Sequence, residues 1–166
     1  MKRTGVGIAL WLVMPVLLSG CTQHQEQKKY AVTVQAGDNK VEVSPGDAME
    51  DIEAVIGTGD ASRHQETPSC AFQGYAQMYF YDHCELDTYE DVDFVERVYD
   101  VYFLDDMITT PEGVYLGMDA DEAKEKMGDP EQESSTMLRF SRGDFRVEMV
   151  LKEQKIIAIT LLPAEG

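Results

Sequence analysis

Residues 43–60 align with residues 114–131 at an offset of 71, matching Val43 with Val114, Gly46 with Gly117 and Gly57 with Gly128. A chain that repeats itself on this scale has to build two similar units and bury both. In each copy apolar residues recur at helical spacing, Met49, Ile52 and Ile56 in the first and Ala120, Ala123 and Met127 in the second. Each set forms one narrow apolar stripe on an otherwise polar helix. Asp47 before Glu50, and Asp119 before Glu122, read as N-terminal caps. Gly57 and Gly128 read as left-handed C-terminal stops, and Pro130 prevents continuation of the second helix.

Beyond each helix the apolar pattern changes to strict alternation, the signature of half-buried strands. Thr136 to Ser141, Phe145 to Leu151 and Lys155 to Leu162 form one such run, with turns at Arg142-Gly143-Asp144 and near Glu153; Gln77 to Tyr81, Cys84 to Tyr89 and Val95 to Leu104 form the other. About ten residues around Ser69-Cys70-Ala71-Phe72 are extra in the first copy and read as a loop inserted between helix and sheet. A further strand at Tyr30 to Gln35 pairs with Lys40 to Val43 through Gly37-Asp38-Asn39. The expected class is α+β: two tandem repeats, each a strand, a helix and a three-stranded antiparallel meander, in residues 30–106 (inserted loop 66–75) and 107–166.

Ahead of the repeats lies an address. Lys2 and Arg3 precede an apolar run from Val6 to Leu18, interrupted by Pro15, and polar residues follow at once. Such a run is shorter than the ~20 residues that span a bilayer and matches a secretory signal over residues 1–20. Leu18-Ser19-Gly20-Cys21 resembles the lipobox of bacterial lipoproteins, which implies a diacylglycerol on the Cys21 thiol and cleavage before it. Two acyl chains anchor stably where one does not. Residues 21–29 then form the lipidated cysteine and a polar tether, whose last eight residues reach at most roughly 29 Å. The mature protein is expected at the outer face of the bacterial cytoplasmic membrane.

Loss of Lys2 and Arg3 with the leader takes the formal charge from −17 to −19, with 31 acidic residues in the chain. Nucleic acid is excluded as a partner on that charge, and so is adhesion to an anionic bilayer through the protein's own surface. Cys70 and Cys84 remain once Cys21 is acylated; an oxidising compartment permits them to pair, and two buried free thiols are the alternative.

No constellation specifies a reaction. A Gly-x-Ser-x-Gly elbow is absent, and His24 lies on the tether, leaving His64 and His83 as candidate bases with no fixed nucleophile. Glu85, Asp87, Glu90, Asp91 and Asp93 could supply oxygen ligands for weak calcium binding, but without the spacing or the glycine of an EF-hand loop, and a solvated acidic loop is the competing reading; Cys-x-x-Cys and His-x-x-x-His pairs are missing as well. No catalytic residue and no cofactor beyond the acyl lipid is therefore expected. Ten of the aromatic residues fall between Phe72 and Phe103. Alternation sets Tyr79 and Tyr81 on one sheet face, Met78 and Phe80 on the other. Tyr79, Tyr81, Tyr99 and Tyr102 are the candidate binding surface, since tyrosine offers contact area at low entropy cost.

The repeated strand-helix-meander order resembles the tandem architecture of the β-lactamase inhibitory protein and, within one repeat, lipoproteins of the SmpA/OmlA outer-membrane assembly type. Ser69-Cys70-Ala71-Phe72, Val101 to Asp106, Thr110-Pro111-Glu112-Gly113 and Gly117 to Pro130 are also similar to lipoproteins of Gram-positive gut bacteria. The resemblance implies a fold and a location and brings no catalytic residues. The function expected is a lipid-anchored extracytoplasmic interaction module with a protein or cell-envelope partner; an extracytoplasmic hydrolase and a structural envelope lipoprotein are the alternatives.

Overall fold

The computed structural model describes residues 29–69 and 74–164, and these form ten strands and two helices. The signal segment, Cys21, nearly all of the tether and Cys70 lie outside the described residues.

Strands β1 (Val32–Ala36) and β2 (Asn39–Val43) make a hairpin closed by the pair Ala36 and Asn39. Gly37 takes φ 58° at the first turn position, which a two-residue turn of the right hand for twisted strands demands there. Helix α1 (Met49–Ile56) follows, then β3 (Gln65–Pro68), β4 (Tyr75–Phe80), β5 (Cys84–Glu90) and β6 (Glu96–Phe103). Helix α2 (Ala120–Met127) opens a second run of four, β7 (Gln132–Glu133), β8 (Met137–Arg142), β9 (Phe145–Lys152) and β10 (Lys155–Pro163).

These eight strands form a single antiparallel sheet in the order β3-β4-β5-β6-β10-β9-β8-β7. The two runs meet where Tyr102 and Val101 of β6 pair with Thr160 and Leu161 of β10. Joining them there satisfies two edges that separate sheets would have left open. One face carries the core: Tyr79, Leu86, Val101, Leu161, Val147 and Phe140 sit opposite one another on successive strands and are all buried. Met49, Ile52 and Ile56 of α1, Ala120, Ala123 and Met127 of α2, and Val32, Val34 and Val43 of the hairpin close over that face in one continuous cluster. Each large side chain so buried contributes about 1.5–3 kcal/mol.

The α+β repeat class is overturned. Strands account for 47% of the described residues and helices for 12%, so the protein is mostly β: a large sheet with a separate hairpin. The helices are only eight residues long, and the sheet carries most of the backbone hydrogen bonding. The meanders were expected to have three strands each, but β3 forms inside the loop assigned to 66–75, and β7 precedes β8. Val114 is buried beside α2 without belonging to a strand. Helix ends differ too. Neither helix has a side-chain N-cap bond; Asp47 Oδ2 accepts from the Ser44 amide at 2.8 Å, and Asp119 faces Lys155 Nζ at 2.8 Å. Gly57 and Gly128 do end the helices with φ of 72° and 82°, but with ψ near extended values, a region only glycine enters freely.

Candidate interaction surface

The second face of the large sheet has no helix or hairpin against it among the described residues, because α1, α2 and β1–β2 all contribute to the core on the other side. Register carries one row of side chains straight across that open face. Phe80 lies opposite Glu85, Glu85 opposite Tyr102, Tyr102 opposite Thr160, Thr160 opposite Glu148, and Glu148 opposite Arg139. The Arg63 guanidinium covers the Phe80 ring at 4.0 Å from its centroid.

Charge on this face is divided. On the β5–β6 side Asp87 stands directly opposite Asp100, with Glu85 two residues along β5. Burial, followed by the charges of Asp87 and Glu85, raises the Asp100 carboxyl to about 7. Burial also raises Asp87, and burial with the Asp87 charge raises Glu85. On the β8–β9 side Glu148 lies between Arg139, at 2.8 Å, and Arg146, at 3.1 Å.

Two of the four tyrosines assigned to a contact face are not on it. Tyr79 is 7% exposed and Tyr81 4%. Both point to the helix side, where Tyr79 Oη donates toward Glu96 Oε2 at 3.2 Å and Tyr81 Oη donates to the Gly57 carbonyl at 2.8 Å, closing the end of α1. Burial pushes both phenols up. The alternation that separates Tyr79 from Phe80 was sound, but the phenolic hydroxyls find partners at the margin of the core, so tyrosine there served packing. Tyr102 is 37% exposed and does lie on the open face. Tyr99 is half-buried: the β5–β6 register shifts so that Asp87 pairs with Asp100 and Thr88 with Val98, leaving Tyr99 as the extra residue of a bulge, edge-on to Tyr89 at 6.3 Å. At the tip of the β5–β6 loop Phe94 is 80% exposed with φ 61°. Its prominence was hidden in sequence, where it counts as one more strand-type aromatic.

Candidate reactive groups lie elsewhere. His83 Nδ1 is 2.9 Å from Asp105 Oδ2, and the His64 ring packs against Tyr79 with centroids 4.7 Å apart and the planes tilted by 59°. Cys84 is a buried free thiol pushed up to about 12 by burial and by Asp105, Asp82 and Glu85. A thiol held protonated in this way is a poor nucleophile at neutral pH. Asp91 pairs with Arg97 and accepts from the Asp93 and Val95 amides. The acidic run is thus divided between loop and open face, and among the described residues no group of three or more His, Cys, Asp or Glu side chains is arranged to hold a metal ion. No helix among them is long and apolar enough to cross a membrane.

Comparison with protein-family models, curated proteins and solved structures finds no match to this chain.

Proposed function

We propose that the protein is a lipid-anchored extracytoplasmic interaction module, held at the membrane through Cys21 and presenting the open face of its eight-stranded sheet to the basic surface of a protein partner. The reading rests above all on that face, which no helix or hairpin covers among the described residues. It is rigid, since its six inner strands, β4, β5, β6, β10, β9 and β8, all pack into the core, and it joins an exposed tyrosine, Tyr102, to the carboxylates of Glu85, Asp87 and Asp100. A formal charge of −17 for the whole chain, −19 for the proposed anchored form without Lys2 and Arg3, favours fast association with a cationic partner and weakens it in salt. No catalytic role is proposed.

A photo-crosslinking residue placed at Tyr102 in intact cells is expected to give a discrete adduct, reduced by Asp100→Lys. The same residue at Val55, exposed on α1 behind the sheet, is expected to give none. An identical adduct from both positions, or none from Tyr102, removes the assignment of the face. The anchor is tested separately by labelling with a fatty-acid analogue: label persisting in Cys21→Ala contradicts it.

A further inference from the structure

The hairpin has an unusual edge. Ala36 and Asn39 close the two-residue turn and exchange hydrogen bonds, so Val34 with Val41 and Val32 with Val43 do the same, and the intervening Thr33 and Gln35 turn their amide and carbonyl groups away from β2. These main-chain groups find no backbone partner among the described residues. On the far side of β2 lies α1, but beside β1 there is a cavity of about 510 Å³. Its lining includes Thr33 and Gln35, the two outward-turned positions of β1, with Ala31 just before the strand and Lys40 and Glu42 of β2, and the remaining lining comes from Met107–Pro111 with His83 and Cys84.

Other strand ends are protected in the ways sheets usually are: β3 has four residues and finishes at Pro68, and β7 has two. The β1 edge is five residues, about 17 Å, with no proline or bulge. The cavity it faces, about 510 Å³, is on the scale of a single extended segment of a few residues and smaller than a second copy's hairpin, which would have to enter together with its β1.

We propose that this edge receives an extended segment of another protein as a third strand of the hairpin. Thr33 and Gln35 supply the main-chain hydrogen bonds. Side chains directed inward meet Val32, Ile108 and the wall at Cys84, which favours small apolar residues; those directed outward pass Lys40 and Glu42, one charge of each sign, which favours uncharged polar ones. This site is separate from the open sheet face and stands without it.

Strand addition is read mainly through the backbone, so a generic probe suffices: a fluorescein-labelled octapeptide of alternating threonine and valine, titrated against the full chain in detergent micelles and followed by anisotropy. Saturable binding is expected. Thr33→Pro, which removes one outward N–H and leaves the β1–β2 ladder intact, is expected to weaken it about tenfold or more, while Thr33→Ala changes it less than about twofold. The same peptide N-methylated on alternate residues, in each of the two phases, is expected to bind in one phase and fail in the other, which decides the matter even if Thr33→Pro disturbs the fold. Absence of saturable binding, equal binding of both methylated peptides, or a dimer that Thr33→Pro dissociates overturns the proposal.

Discussion

Gly59 is held at φ 69°, and a methyl group on it would meet the Phe80 carbonyl oxygen at 2.4 Å, because the Asp60 amide on the next residue donates to that same carbonyl at 2.8 Å. Backbone against backbone cannot give way as a flexible side chain can. Gly59→Ala is expected to cost ~2–4 kcal/mol in urea denaturation, against a few tenths for Gly143→Ala beyond its own turn strain, where nothing lies within 4 Å. Asp100 makes the second argument at this scale. Its carboxyl, raised to about 7, binds a proton in the folded chain that the unfolded chain releases near its ordinary value of 3.8. Stability is therefore lost as pH rises from about 4 to about 7, and Asp87 and Glu85 shift in the same direction. Asp100→Asn is expected to raise stability at pH 8 by on the order of 2 kcal/mol and to leave it nearly unchanged at pH 4. A benefit of equal size at both pH values would point to packing and not to charge.

At the scale of elements, one cluster fastens pieces far apart in sequence. Glu112, in the loop before α2, accepts from Tyr30 Oη at 2.6 Å and from Arg142 Nε at 2.7 Å; Arg142 also donates to the Met127 carbonyl at 2.8 Å, at the C-terminal end of α2. Burial alone would raise the Glu112 carboxyl, but the bonds from Tyr30 and Arg142 hold it below its usual range. Glu112→Ala leaves the Tyr30 hydroxyl and Arg142 Nε without their acceptor and is expected to lower the unfolding midpoint by the equivalent of ~1–3 kcal/mol, with Arg142→Ala adding less to it than it costs alone. None of this was legible beforehand: Tyr30, Glu112 and Arg142 are separated by long stretches, and nothing in local pattern pairs them. What periodicity did reveal was local. Met49, Ile52 and Ile56 gave the stripe of α1, and alternation gave six of the sheet strands to within two or three residues. It missed β3, because Gln65 to Pro68 is exposed throughout and has no buried face to alternate with. Tyr79 and Tyr81 were assigned to the wrong purpose for a related reason, since alternation separates two faces without saying which one a helix covers.

For the whole molecule the decisive feature is the seam at β6 and β10, which depends on strand ends more than fifty residues apart and so left one sheet or two undecided in the sequence. With a single cluster running through both runs of strands, the protein is expected to unfold as one unit. The spectroscopy is convenient: the one tryptophan, Trp11, falls in the N-terminal apolar run outside the described residues, and seven of the eight tyrosines precede residue 107, so in a chain beginning at Lys29 tyrosine emission reports the first run and far-ultraviolet dichroism reports both. Coincident urea transitions are expected, and Leu161→Ala, at the seam, should shift both together by ~2–5 kcal/mol. Transitions that separate would mean the seam does not couple the halves.

The attachment at Tyr30 also sets how the protein bears load. On the proposed attachment at Cys21 and the proposed partner at the sheet, a pull on the N-terminal segment reaches the Tyr30–Glu112–Arg142 clasp before it reaches β1. Tension is thus diverted into the loop before α2 and the end of β8, and the hairpin is spared from being peeled open strand by strand: the clasp is a strain relief, placed where the cable enters the body.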